Sequence, residues 1–588
     1  MKNSIFANDK IRWVFIAAGI LIMVVAFMSQ RANGLKGIIE PDAMMRLVVA
    51  EQLYSTGEWY NHVVPRMNLP QGSDNHWSRL MDMMLVGPAW IGSFFTGFHQ
   101  SLTLWASYLN GVLLVVTILG GLLALRRYGC GAIAQSALLC GVLCSPPLWM
   151  IFQPGQVDNP SVNAAGLVWL LALALPLLQK QRPSARDIAL AGCAGAVGLW
   201  SSLEFLVPLA LLLGWLGIMW LRDGGKPETL ERFAHALFLW LIPVFLIEQA
   251  PQDWLRVEHD SQSIVHLTLF GLVAFMASIF VLAASRLQSW QRRFIAASFC
   301  SVALLLIMQW LFPGVYQGPY AQVDPVMAKI FLSHVNEMKP LHVFLPPSLL
   351  LLFFYGVLGV PFIILAAMKD HARRDQYTFL LLLFAGLAIL TEMQMRWWKL
   401  MVPYGLISIA LGLELACLRY RLAPARAFAA MLLVYLIPPL VTLAGSKNPA
   451  ANWQGIEPEC IAAMYESIEG DYFSSVMKTG KPLTVLVPAD YGAHVLFWTP
   501  HNTLASNYHR DVKGYKAQDD FLTTKDSNVA RSVLDKNHVD LISFCLPIKR
   551  KGAFVEVLAA GKTAYPWLVE LKNPWGGKGL RLFAYRPQ

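Results

Sequence analysis

Between residues 11 and 444 the chain is a succession of apolar runs, most of them 15 to 24 residues long, separated by short polar breaks. A run of that length has few ways to fold. Crossing a hydrocarbon core takes about 20 residues of helix, and every backbone polar group must be satisfied inside the segment. Thirteen runs meet the description: 11–29, 102–125, 129–148, 161–178, 188–205, 206–221, 233–247, 265–285, 294–312, 345–368, 377–393, 400–418 and 427–444. Composition agrees, with 56% hydrophobic and only 14% charged residues, against about 25% charged in soluble domains. The fold class read from this pattern is an α-helical polytopic membrane protein of about 13 spans. The first run follows Lys2, Lys10 and Arg12, which also suits a signal peptide. It lacks a small-x-small cleavage site and is long for a signal's apolar region, so the expectation is a retained anchor.

The net charge of +10 is explained by topology rather than by nucleic acid, which is not an expected partner. The basic clusters are Arg126/Arg127, Lys180/Arg182/Arg186, Arg222/Lys226/Arg232, Arg286/Arg292/Arg293, Lys369/Arg373/Arg374 and Arg419/Arg421/Arg426. Short cytoplasmic loops collect Lys and Arg. If all six clusters are cytoplasmic, an even number of spans separates each from the next. The N-terminus then lies inside and the C-terminal domain outside. The run 81–98 breaks this parity if counted as a span, so it is read as a re-entrant or juxtamembrane helix buried against protein. The run 188–221 must hold two crossings that turn at Ser201–Glu204. The expected organisation is a membrane domain over 1–444, with a first extracytoplasmic loop at 30–80 and a late one at 313–344. A soluble extracytoplasmic α/β domain follows over 445–588. It alternates short apolar strands (483–487, 541–544) with helical patterns such as 527–536.

Eight cysteines show no metal-ligand spacing, and six lie in or beside spans. Cys460 and Cys545 alone fall in the soluble domain, which in a bacterial periplasm would be oxidising; a disulfide between them is expected.

Five short motifs carry possible chemistry. Glu40-Pro41-Asp42, with Arg46 one turn on, reads as the start of a helix running to about Tyr54. The helix dipole alone favours an acid there, but two carboxylates at i and i+2 also bind a divalent cation or activate an acceptor. Gly155-Gln156-Val157-Asp158-Asn159-Pro160 places an acid in a short loop at the bundle's opening, where ionisable groups are costly. Val335-Asn336-Glu337-Met338-Lys339-Pro340 sits late in a long loop. Arg396 precedes Trp397 and Trp398 at a span's outer end: an interfacial anchor, or a clamp for a lipid-linked phosphate. Asp490-Tyr491-Gly492 follows a strand, as turns commonly do. His494, His501 and His509 lack a zinc spacing and read as surface or core residues.

In this order, the five motifs resemble those of the oligosaccharyltransferase catalytic subunit and its single-chain bacterial and archaeal relatives, in the GT-C glycosyltransferase class. The resemblance covers nearly the whole chain. It implies Asp42, Asp158 and Glu337 as catalytic and metal-binding carboxylates. It further implies a divalent cation (Mn²⁺ or Mg²⁺), and Arg396 holding the phosphate of a polyprenyl-linked sugar donor. Glu40, Arg46, Asn159, Asp490 and Tyr491 would support the site, and Pro70-Gln71-Gly72 is similar to a Pro-x-Gly of the same loop. The chain departs from that family at Pro488-Ala489, where two Trp recognise the acceptor, and at Pro160, where a second acid usually stands. The function implied is transfer of a sugar or oligosaccharide, of the inverting type, from a polyprenyl (pyro)phosphate at the outer face of the membrane. That membrane is expected to be a bacterial inner membrane, with the C-terminal domain in the periplasm. The alternatives are single-sugar transfer to a lipid or cell-envelope glycan and, outside enzymes, a transporter. The acceptor, protein Asn or glycan, is open. Reporter fusions at Lys180, Arg292 and Gly445 are expected to read inside, inside and outside; a cytoplasmic signal after Gly445 would reverse the topology.

Overall fold

A computed structural model describes residue 24 and residues 40–343, 357–435 and 458–587, interrupted at 180, 225–226, 321–322, 333–334, 424–425, 427–428, 431–432, 547–552, 562–564 and 575–578. The first helix, α1 (Pro41–Thr56), starts where Pro41 follows an extended Glu40, whose carboxylate accepts the Ala43 amide at 2.7 Å. A Pro at the first position and an acidic cap together define a helix start. It ends at Gly57, whose φ of 69° closes the left-handed cap. Ala43 through Ala50 are buried without a break. A helix buried all round needs protein on every side, and α1 has it.

The next helix, α2 (Arg79–Gly92), is held at its N-terminus by charge. Arg79, 1% exposed, pairs with Asp82 at 2.8 Å and donates to the Trp59 and Asn61 carbonyls. Its amide donates to Glu248, which also accepts from the Trp200 indole at 2.6 Å. At the other end Trp90, Ile91, Phe94 and Phe95 are exposed, Phe95 by 87%. The segment 81–98 is therefore a short helix and a turn rather than a span, buried at its start and presenting apolar side chains at its end.

The bundle continues through α3 (Phe98–Arg127), α4 (Ala132–Cys144), α5 (Asn159–Ala174), α6 (Ala185–Ser201), α7 (Leu206–Asp223), α8 (Pro227–Glu248), α9 (Ile264–Leu282), α10 (Trp290–Leu311), α11 (Val360–Lys369), α12 (Arg374–Met393) and α13 (Trp398–Tyr420). Among the described residues eight helices are long and apolar enough to cross a membrane: α3, α5, α7, α8, α9, α10, α12 and α13, three of them extended by a 3-10 turn. The helices α4, α6 and α11 are shorter. The expected spans 11–29 and 427–444 fall wholly or largely outside the described residues. The run 129–148 breaks at Ser145–Pro146, where a Pro opens a fresh turn of helix. The two crossings expected of 188–221 correspond to two helices that separate at Ser202, whose hydroxyl caps the Glu204 amide. Outward-facing Phe299, Leu306 and Trp310 on α10 are the surface a lipid-facing helix presents.

The C-terminal unit is a five-stranded sheet ordered β4-β3-β5-β7-β6, counting β1 (Val63–Val64) and β2 (Ser73–Asp74) as a hairpin in the first loop. Strand β3 (Thr484–Leu486) runs parallel to β4 (Asn502–Thr503) and β5 (Leu541–Cys545). Strands β6 (Leu568–Glu570) and β7 (Leu580–Tyr585) close it antiparallel. Alternation along β5 sends Leu541 and Cys545 to one core and Ile542 and Phe544 to the other. Helices α14 (Pro458–Glu469) and α15 (Ala489–Trp498) cover one face; α16 (Val512–Thr523) and α17 (Ser527–Lys536) cover the other.

This unit grips the first loop. Backbone bonds join Arg66 and Asn68 to Thr503 at 3.0 and 2.9 Å, and the Arg66 guanidinium donates to the Leu496, Thr499 and His501 carbonyls at the end of α15. Helix α15 itself packs along α1.

Cys460 on α14 is bonded to Cys545 on β5, with 5.8 Å between their Cα atoms. Cys460→Ser is expected to lower domain stability by about 2–4 kcal/mol. Thermal unfolding of the full chain, with mass mapping under non-reducing conditions, checks both the cost and the linkage.

Candidate active site

A cavity of about 690 Å³ opens where the bundle meets the C-terminal unit. Asp42, Asp158, Asn159, Glu337 and Arg396 all line it, although they come from four separate parts of the chain. Asp42 arrives on the first turn of α1. Asp158 is the N-cap residue of α5, reached through a turn in which Gly155 takes φ of 80°. Glu337 sits in a 3-10 turn of the late loop (Asn336–Met338), and Arg396 in the turn that opens into α13.

Charge is unevenly distributed here. Burial pushes the Asp42 carboxyl well above the usual carboxylate range, and the neighbouring charges of Glu40, Asp158 and Glu337 push it further. Glu40 is pushed up to about 7, by burial first and by Asp158 second. Glu337 goes the other way: burial raises it, but the Lys399 ammonium, 2.5 Å from Oε1, and the Arg396 guanidinium together outweigh burial and lower it. Four carboxylates thus share one region with a single close ammonium.

Arg396 lines the same cavity. Nη2 pairs with Glu204 at 2.5 Å and Nη1 donates to the Tyr320 hydroxyl at 2.9 Å, while Nε is buried without a partner. Lys399 follows one turn later on the same helix face. Glu204 also accepts from Asn163 at 3.1 Å.

Of the supporting residues, Glu40 caps α1, and Arg46 is fully buried with its guanidinium 4.1 Å above the Trp77 ring and Nη2 donating to Asn159 at 2.7 Å. That bond ties α1 to the start of α5, so two of the acids keep a fixed relation. Asp490 and Tyr491 lie in the first turn of α15, with Tyr491 packed on Tyr465; neither lines the cavity. Trp397 faces the cavity, whereas Trp398 is buried in the bundle core rather than at an interface.

One expectation needs correction. His501 is a core residue bonded to Asp471 and the Leu483 amide, and His494 packs on Tyr465. His509, however, lines the cavity, with Nε2 3.2 Å from Asp260. It meets His76 of the first loop across a long sequence gap, which spacing rules cannot detect. Burial holds His76 well below the usual histidine range. Motif reading also passes over Glu204, Tyr320 and Lys399 as site residues. Of these, Lys399, a charge in the first turn of a span, is the one with a detectable signal.

The acids offer only carboxylate oxygen, the donor set that hard divalent cations prefer. Their shared excess of negative charge, visible in Asp42, fits such an ion. Holding one ion would require their oxygens to converge on it; among the described residues the trio of potential ligand atoms that already lies within 4.8 Å is instead His76, Asp260 and His509.

No family model and no curated protein sequence matches the chain. Solved structures do. The archaeal oligosaccharyltransferase AglB from Archaeoglobus fulgidus, in complex with an inhibitory peptide and a dolichol-phosphate, is similar with a TM-score of 0.71. The match covers 91% of this chain and 69% of that one at 15% identity. The apo form of the Archaeoglobus fulgidus enzyme gives 0.65 at 16% identity over the same shares. The mycobacterial arabinofuranosyltransferase AftD gives 0.51 at 13% identity, over 98% of this chain and 42% of that one. This chain therefore has the fold of the GT-C membrane glycosyltransferases. Its overall architecture follows the AglB arrangement of a helical bundle with a C-terminal domain.

The Lys399–Glu337 pair carries a pH signature. A carboxyl held below its ordinary value of 4.5 stabilises the fold above that pH, and the contribution fades as pH falls through the lowered value. Lys399→Met removes the counter-charge. Its thermal midpoint is therefore expected to fall less than that of the wild type on acidification from about pH 6 to about pH 4, as read by differential scanning fluorimetry.

Proposed function

We propose that this protein is a membrane glycosyltransferase that moves a sugar or oligosaccharide from a polyprenyl phosphate or pyrophosphate donor to an acceptor at the outer face of the membrane. The observation that carries this reading is one cavity that gathers three acids (Asp42, Asp158, Glu337) and two cations (Arg396, Lys399) from separate parts of the chain. The similar AglB fold occurs in complex with a dolichol-phosphate, in keeping with a lipid-phosphate ligand for this chain.

Transfer to a hydroxyl or amide needs a base for the acceptor proton and positive charge for the departing phosphate. Asp42, which lines the cavity from the first turn of α1, is the base that takes the acceptor proton. The acceptor heteroatom then bonds to the anomeric carbon as the carbon–phosphate-oxygen bond breaks, and the phosphate leaves with that electron pair. Arg396 meets the new charge with two N–H groups in place of Glu204, and Lys399 adds a second cation. Attack from the face opposite the leaving group inverts the anomeric centre. A divalent cation (Mn²⁺ or Mg²⁺) held by Asp42, Asp158 and Glu337 would supply further charge stabilisation.

The acceptor is read from Pro488 and Ala489. Pro488 caps α15 and Ala489 is buried beneath it, so no indole stands where the resemblance calls for two. This favours a glycan or lipid acceptor, or a looser protein acceptor, over a strict Asn-x-Ser/Thr sequon. The Cys460–Cys545 bond supports a C-terminal domain in an oxidising compartment, which we take to be a bacterial periplasm.

Asp42→Ala and Asp158→Ala are each expected to abolish transfer of a labelled polyprenyl-linked sugar while gel filtration stays unchanged; wild-type turnover in either would overturn the catalytic reading. Arg396→Lys is expected to weaken donor binding by about 1.5–3 kcal/mol through loss of a charge-assisted pair. Isothermal titration with Arg396→Lys beside Arg396→Ala checks this, and unchanged affinity in both would leave Arg396 a structural partner of Glu204.

A further inference from the structure

At the far side of the same cavity, three loops bring together side chains that the proposed reaction does not use. His76 follows β2 in the first loop, Asp260 lies in the loop between α8 and α9, and His509 precedes α16 in the C-terminal unit. One potential ligand atom from each lies within 4.8 Å of the others. His509 Nε2 is 3.2 Å from Asp260 Oδ2, and the two imidazoles meet edge to face with ring centres 4.7 Å apart. All three line the cavity.

We propose that His76, Asp260 and His509 bind a zinc ion that clamps the C-terminal unit onto the first loop and onto the loop after α8.

The donor chemistry selects the ion. Two imidazole nitrogens and one carboxylate oxygen form a set that zinc binds with three protein ligands and an open fourth position, and that hard Mg²⁺ takes up poorly. Donors around a tetrahedral zinc are about 3.4 Å apart, from bonds near 2.0–2.1 Å. The histidine–aspartate distance of 3.2 Å already meets that, and the other separations lie within 4.8 Å.

A charged network surrounds the trio. Arg510 binds Asp260 at 2.6 Å, Asp74 at 2.9 Å and Glu258 at 3.4 Å, and Arg256 binds Glu258 at 3.0 Å. Arg510 also fixes the Asp260 carboxylate in place, and the Tyr508 hydroxyl engages Nδ1 of His76. Partners of this kind orient ligands around metal ions. They leave the other His76 nitrogen to ligate.

Because the three ligands come from separate loops, the ion would join segments that the chain itself does not connect. It is distinct from the cation proposed for Asp42, Asp158 and Glu337, which differs in ligand chemistry, and the inference does not rest on the transfer reaction.

The test uses the full-length protein in detergent, stripped with a chelator and titrated with Co²⁺ as a spectroscopic stand-in for zinc. The wild type and Asp42→Asn are both expected to develop the intense visible bands of a tetrahedral site. His509→Gln and His76→Gln, altered on different loops, are expected to lose those bands. Added zinc should raise the thermal midpoint of the stripped wild type and leave that of both variants unmoved. Wild-type bands in either histidine variant, no bands in the wild type, or their loss in Asp42→Asn would each overturn the site.

Discussion

The architecture depends on the burial of α1. This helix does not cross the membrane, yet eight consecutive residues from Ala43 to Ala50 are shielded from solvent. Only protein on all sides permits that, and the bundle alone cannot provide it. The missing side is covered by α15 of the C-terminal unit, while Arg66 and Asn68 pin the loop beyond α1 to the same unit. The acidic start of α1 is thereby carried to the junction of two domains and held there. Arg46 completes the placement, since its bond to Asn159 links α1 to the start of α5, where Asp158 stands.

Within the cavity each cation already has an internal partner. Arg396 is paired with Glu204 and Lys399 with Glu337. Ion pairs taken out of water roughly break even against the cost of desolvating them, while a lone buried charge is expensive. Such pairing keeps the cations charged and in place until a phosphate, carrying more charge than one carboxylate, competes for them. On the proposed reading, donor binding is an exchange of counter-ions, and Glu204 sets the affinity it must exceed.

The same logic explains how one cavity can hold acids and cations together. The acids are spread over α1, the cap of α5 and a 3-10 turn of the late loop, and the cations share one face at the start of α13. Burial first, and then the neighbouring charges of Glu40, Asp158 and Glu337, raise the proton affinity of Asp42. A site strained in this way favours any ligand that brings positive charge to the acids.

Much of this was legible in the chain itself. Apolar runs of membrane-crossing length determined the helical bundle, because backbone polar groups in hydrocarbon admit little else. The pattern at Glu40-Pro41-Asp42 determined a helix start, the turn at Ser201–Glu204 a break between crossings, and the alternation around 541–544 a strand. These signals are local, set by caps, periodicity and hydropathy within a few residues. Tertiary structure alone decided which charges meet. Glu204 and Arg396 are far apart in sequence, as are His76, Asp260 and His509, and no local rule couples them. Nor could hydropathy tell that 81–98 starts buried on Glu248 and ends exposed, or that Trp398 points into the core. Electrostatic partnership depends on distance in space, and a sequence records distance only along the chain.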